Sequence, residues 1–173
     1  MPHLNVEIKA RCKDLGPLRD ILIADGADAK GTDKQIDTYF KGAKGRIKLR
    51  QGNIECSLIH YTRSDQAGPK NSHVHLYHPQ PTEAGKLYEL LTAAYGTAVE
   101  VRKAREIYFI QNVKFHLDTV EGLGTFAEIE AIDSDGSLGD SHLHEQCTYY
   151  MRRLGIQESD LLTNSYSDML ASE

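Results

Sequence analysis

The 173 residues carry 20 Lys and Arg against 25 Asp and Glu, a formal charge of -5, with 40% hydrophobic and 26% charged residues. That balance fits one globular core, excludes a disordered chain, and argues against general affinity for a nucleic-acid backbone. No run approaches the roughly 18 apolar residues of a membrane helix, and the opening Met1-Pro2-His3-Leu4-Asn5 lacks the apolar stretch of a signal peptide, so the chain reads as cytoplasmic.

Residues 4 to 11 alternate, with Val6, Ile8 and Ala10 on one side and Asn5, Glu7, Lys9 and Arg11 on the other, which predicts a half-buried opening strand. Asp14 is placed to cap a helix in which Leu18, Ile21 and Leu22 recur at helical spacing, with Pro17 in the first turn and Gly26 past the end. Strands are predicted at Gln35 to Phe40, Gly45 to Arg50 and Glu55 to Arg63, the last two joined as a hairpin by Gln51-Gly52-Asn53. A turn-rich segment from Arg63 to Lys70 precedes a short strand, His73 to Tyr77, before Pro79 and Pro81 interrupt regular structure. Thr82 is the expected cap of a second helix with Leu87, Leu90, Leu91 and Ala94 along one stripe and Gly96 at its end. Three strands follow, Val99 to Ile110, Val113 to Val120 and Thr125 to Ile132, linked by Gln111-Asn112 and Gly122-Leu123-Gly124. Ser141 is expected to cap a third helix presenting Leu143, Cys147, Tyr150, Met151 and Leu154 up to Gly155, with one further turn over Glu158 to Leu162.

No repeat or second domain is visible, so residues 1–173 read as a single α+β domain whose antiparallel strands stay open on one face or close into a barrel. Tyr39, Phe40, Tyr108, Phe109 and Phe115 are expected to pack between sheet and helices. Cys12, Cys56 and Cys147, isolated and odd in number, read as reduced, packed thiols rather than disulfides or a zinc site.

The polar faces of the strands are ionic and sorted. Arg46, Lys48 and Arg50 share one face of their strand, and Arg63 ends the partner strand on the side of Tyr61. Lys103 and Arg105 repeat that arrangement, whereas Asp118, Glu128 and Glu130 bring the acidic counterpart from other strands. If these faces converge, fixed cations stand beside carboxylates, the chemistry that grips a polyphosphate and a hard divalent cation together. Spacing alone leaves open the alternative that they are solvent-facing charges in weak surface pairs.

Six blocks then carry a resemblance: Asn5-Val6-Glu7-Ile8-Lys9-Ala10, Gly45-Arg46-Ile47-Lys48-Leu49-Arg50, the run Tyr61 to Lys70, Val101-Arg102-Lys103-Ala104-Arg105, His116-Leu117-Asp118 with Glu121-Gly122-Leu123-Gly124, and Glu128-Ile129-Glu130. Their order and spacing resemble the CYTH superfamily of triphosphate tunnel metalloenzymes, in its class IV adenylate cyclase and thiamine triphosphatase-like branch. Ser165-Tyr166-Ser167-Asp168 extends the match towards the end. The resemblance implies a closed eight-stranded antiparallel tunnel with flanking helices. It implies Glu7, Asp118, Glu128 and Glu130 as ligands of Mg2+ or Mn2+, with Asp118 a ligand or a supporting acid. Lys48, Arg50, Arg63, Lys103 and Arg105 would hold phosphates, and Lys9, Arg63, Arg105 and Asp118 would form the catalytic set. A homodimer would fit the group. Two positions depart: Asn5 replaces the first acid of the fuller ExExK-type motif, and Asn164-Ser165 stand where some relatives have a Lys.

Three functions follow. The first is metal-dependent hydrolysis of inorganic tripolyphosphate, ATP or thiamine triphosphate, a reaction that positioning and charge neutralisation suffice to catalyse. The second is an adenylate cyclase of class IV type, and the third, kept open by Asn5, is a non-catalytic sensor of a polyphosphate or nucleotide. Three features are read as structural. His73 and His75 share a strand face without a supporting acid, His116 occupies an ordinary strand position, and Ser165 lacks a nucleophile elbow.

Overall fold

The computed structural model describes residues 3–42 and 44–172; Met1 and Pro2 of the opening run, with Ala43 and Glu173, lie outside the described residues. Eight antiparallel strands close into a barrel: β1 (His3–Arg11), β2 (Asp28–Phe40), β3 (Arg46–Gln51), β4 (Cys56–Arg63), β5 (Lys70–Tyr77), β6 (Thr97–Ile110), β7 (Val113–Val120) and β8 (Gly124–Asp133). Their order around the wall is β1-β5-β4-β3-β2-β6-β7-β8, and β1 completes the ring by pairing with both β5 and β8. Helices α1 (Gly16–Ala24), α2 (Ala84–Tyr95), α3 (Asp140–Arg153) and α4 (Tyr166–Ala171) pack outside or across one end. Among the described residues no helix is long and apolar enough to cross a membrane.

The barrel is apolar outside and ionic inside, because each strand alternates and the helices cover the apolar face. Val6, Ile8 and Ala10 of β1 and Phe115, Ile129 and Ala131 of β7 and β8 join Leu18 and Leu22 of α1 and Leu143 and Cys147 of α3 in the main core. The helical pairs sit four residues apart, one turn, so each helix lays a single stripe on the sheet. Phe40 and Leu49 pack under Leu91 of α2 in a smaller cluster. At one end of the barrel Phe126, Val120, Val101 and Tyr61 meet Tyr166 of α4. The chain reaches that point along a strap in which Leu162 N–H donates to the Lys9 carbonyl at 2.9 Å.

Several expectations are corrected. The strand expected at Gln35 to Phe40 begins at Asp28; its added half is mostly exposed and is held by its ladder with β6, so no apolar period announces it. Strand β5 begins at Lys70 rather than His73. Asp14 accepts from Gly16 N–H at 2.9 Å but precedes the helix cap, Leu15. Gln80, not Thr82, opens the second helical segment through a box with Glu83 over a tight turn, Pro81–Glu83. Ser141 lies inside α3, which starts at Asp140. Phe109 is only partly buried, and Tyr39 turns into the barrel, where it lines the cavity. The three cysteines are free, with Cys147 buried and Cys12 and Cys56 half-buried.

Candidate functional site

The barrel encloses a cavity of about 550 Å³, running from Ser165 and Tyr166 at the α4 end to His3, Ile54, Pro79 and Pro81 at the other. Seven Lys and Arg side chains and four Glu side chains line it. Asn5, Glu7 and Lys9 point in from β1, Lys48 and Arg50 from β3, Arg63 from β4, Lys103 and Arg105 from β6, and Glu128 and Glu130 from β8. The structure thus brings together, across strands far apart in sequence, the charged faces whose convergence spacing alone leaves open.

On the basic side everything turns on Asp37 of β2, which is 1% exposed. Its carboxylate accepts a two-bond fork from Arg50 at 2.9 and 2.9 Å, Lys48 at 3.0 Å and Lys103 at 2.8 Å. Burial alone would push this carboxyl up, but Arg50, Lys103 and Lys48 outweigh it and hold Asp37 well below the usual carboxylate range. Burial drives the Lys103 ammonium the other way, to about 7, against the pull of Asp37. The opposite flank repeats the device. Arg105 donates to both oxygens of Asp118, at 2.7 and 2.5 Å, and Tyr166 Oη donates to the same carboxylate at 2.7 Å. Asp118 is 0% exposed and does not line the cavity, and its carboxylate holds Arg105 and Tyr166 in place.

The acidic side is less complete. Glu128 takes Lys9 at 3.0 Å, Arg105 at 3.1 Å and His116 Nδ1 at 3.0 Å. Lys9 and Arg105, with the His116 hydrogen bond, hold it well below its ordinary range against the effect of burial. An ionised Glu128 only accepts, so His116 Nδ1 carries the proton and Nε2 presents a bare lone pair; that Nε2 is buried without a partner among the described residues. Burial, then Arg105, push His116 down to about 3, which keeps its ring neutral. Glu7 pairs with Arg63. Glu130 stands opposite Glu7 on the neighbouring strand and among the described residues has no cation in ion-pair reach; it accepts from Asn5 Nδ2 at 2.6 Å. Burial raises its carboxyl, Lys114 draws it back, and Glu7 and Glu128 add to the rise. Asn5 Oδ1 is also buried without a partner among the described residues.

Among the described residues no group of three or more His, Cys, Asp and Glu side chains is arranged to hold a metal ion, because Glu7 is drawn to Arg63 and Glu128 to its three donors. His73 and His75 lie exposed on the outer face of β5, away from the cavity. Arg46 is tied at the closed end to Asp168 at 2.9 Å and to Ser165, which caps α4. Three residues of the site, Asp37, Glu55 and Lys114, carry no mark in the sequence reading, and neither does the hydrogen bond of Tyr166 to Asp118. Lys114, His116 and Asp118 do alternate with Val113, Phe115 and Leu117, a period-2 signal that marks the inner face of β7. Asp37 offers no comparable local signal.

The family model described as CYTH domain matches residues 3–166. The chain is 33% identical to a protein named adenylate cyclase CyaB from Aeromonas hydrophila over 176 aligned residues, 95% of this chain and 87% of that one. Its fold is similar to the PH1012 protein of Pyrococcus horikoshii OT3, with a TM-score of 0.78 at 24% identity, covering 95% and 98% of the two chains. A Hippeastrum adenylyl cyclase candidate, described as showing a dominant triphosphatase activity, aligns with a TM-score of 0.60 at 14% identity over 97% of this chain and 93% of that one. At such identities the two structures speak for the fold alone.

Proposed function

The chain belongs to the CYTH domain family, and we propose that it is a single-domain, cytoplasmic, divalent-metal-dependent triphosphatase that draws a triphosphate compound into its barrel. The observation that carries this reading is the lining itself, with seven Lys and Arg side chains against four glutamates in one cavity. Such a cavity neutralises an anion of high charge density without a covalent nucleophile, and phosphoryl transfer asks for little else. Lys48, Arg50, Lys103 and Arg105 are oriented by Asp37 and Asp118 and would grip the phosphate oxygens, with Arg63 and Lys9 completing the cage from β4 and β1. The bare Nε2 of His116 can accept a hydrogen bond from a bound water and so hold it at a fixed point.

Asn5 Oδ1, without a partner, and Glu130, without a cation, fit a hard divalent ion with Glu7 opposite; these residues would hold Mg2+ or Mn2+. When bound, the ion would neutralise charge on the phosphates. Asp118 is not proposed as a ligand, since Arg105 and Tyr166 occupy it. The free thiols accord with a reducing compartment. The 33% identity to a protein named adenylate cyclase supports a second reading, conversion of ATP to cyclic AMP and pyrophosphate in the same cavity.

Product analysis separates the readings. The protein is incubated with tripolyphosphate, ATP and thiamine triphosphate, each with magnesium or manganese, beside a Glu128→Ala, Glu130→Ala variant. Phosphate release lost in the variant is expected. Cyclic AMP with pyrophosphate would move the cyclase to first place, and binding without turnover would leave a sensor.

A further inference from the structure

One ion pair crosses the lumen. Glu55 immediately precedes β4, and Lys114 lies on β7; in the ring order, β4 and β7 are four steps apart in either direction, that is, on opposite walls. Their side chains nonetheless meet, and both line the cavity. Glu55 is built into position. Its own N–H and that of Ile54 donate to Asp33 at 2.9 and 2.8 Å, and Gly52 permits the approach, since a Cβ there would stand 2.5 Å from the Asp33 carboxylate. The Glu55 carboxylate also accepts from Arg50 at 3.0 Å and Gln35 at 3.1 Å. Lys114 has no second anion in ion-pair reach among the described residues.

The two partners therefore differ in what separation costs them. If a ligand parts the pair, Glu55 keeps Arg50 and Gln35, whereas Lys114, 13% exposed, is left with no paired anion among the described residues and only the longer-range pull of Glu130, its cross-strand neighbour on β8. A neutral ligand offers it nothing. A phosphate oxygen restores a charge-assisted bond. We infer that Lys114 is a further phosphate-contacting, specificity-determining residue, held across the lumen by Glu55 until an anionic ligand takes the place of that carboxylate. This rests on the triphosphate reading above and adds to it a selective crossbar.

Titration calorimetry of tripolyphosphate in magnesium buffer tests it. Lys114→Met is expected to weaken binding about tenfold, and Glu55→Gln, which removes the competing anion, to tighten it about threefold. In the double variant the gain from Glu55→Gln disappears, because that residue acts through Lys114. Lys114→Arg keeps the affinity, which separates loss of charge from loss of fold. Unchanged binding in Lys114→Met, weaker binding in Glu55→Gln, or a gain that persists without Lys114 each overturns the crossbar alone. A wild type that binds no tripolyphosphate overturns the broader reading with it.

Discussion

The two walls of the cavity solve the problem of buried charge differently. Around Asp37 one carboxylate meets Lys48, Arg50 and Lys103, and every oxygen has a donor. Around Glu130 the balance is reversed: Glu7 and Glu128 crowd a third carboxylate, and Asn5 Oδ1 has no partner. The first wall is complete as it stands, and its charges are held at fixed positions before any ligand arrives, which is what electrostatic preorganisation requires. On the second, Glu130 has no paired cation among the described residues, so it is the wall where a cation from solution belongs.

The sharpest way to break that contrast is Asp37→Asn. Removing one partner of a buried network leaves Lys48 and Lys103 uncompensated and Arg50 with Glu55 alone, and a loss of about 3–5 kcal/mol is expected in urea unfolding. The control, Asp28→Asn, removes an exposed partner of Lys30 and is expected to cost under about 1 kcal/mol. Similar losses for both would mean that the basic wall is not organised around Asp37. On the other wall, Glu130→Gln is expected to leave stability within about 1 kcal/mol of the wild type while weakening manganese binding at least about tenfold, read by metal titration. A strong loss of stability would show that Glu130 is already compensated. Asn5→Glu should sharpen the same contrast in the opposite direction, tightening manganese about tenfold and raising turnover more than substrate affinity, provided Asn5 limits the site.

The smallest expected effect is protonic. Burial lowers Lys103 to about 7 from the ordinary 10.5, so between those values the folded protein holds fewer protons at this group than the unfolded chain, and the group's contribution to stability rises with pH across that window. A bound polyanion favours the ammonium and pulls a proton in. Calorimetry at pH 8 in buffers of different ionisation enthalpy should detect a fractional proton uptake that vanishes in Lys103→Met.

Much of this was legible before the fold was known, and the reasons are physical. Strands β1, β3, β7 and β8 announce themselves because one face packs under helices and must be apolar, so the ionic face shows by contrast. The first half of β2 has no such contrast: its residues are largely exposed and its register comes from β6. Asp37 escaped for a different reason. Its partners lie 11, 13 and 66 residues away, and only the closing of the ring places Lys103 beside it. Asp118 was legible as a ligand or a supporting acid, but the partners it supports were not, since the fork from Arg105 and the Tyr166 hydroxyl are facts of packing. The turn that pins Glu55 to Asp33 was visible only as a glycine in a hairpin.

Closure also dictates when the molecule can finish folding. Strand β1 has no complete set of neighbours until β8 exists, for His3–Arg11 pairs on one edge with β5 and on the other with Gly124–Asp133. A chain emerging from the ribosome must therefore carry its first strand with one edge open through the synthesis of more than a hundred residues, and the loop it closes last is among the longest it contains. Loop entropy grows slowly with length, but contacts of such wide separation slow the search. While any seam of the ring is open the lining is still wet, so closing the ring desolvates its lysines, arginines and acids together, and ionic strength is expected to act on the rate of that step.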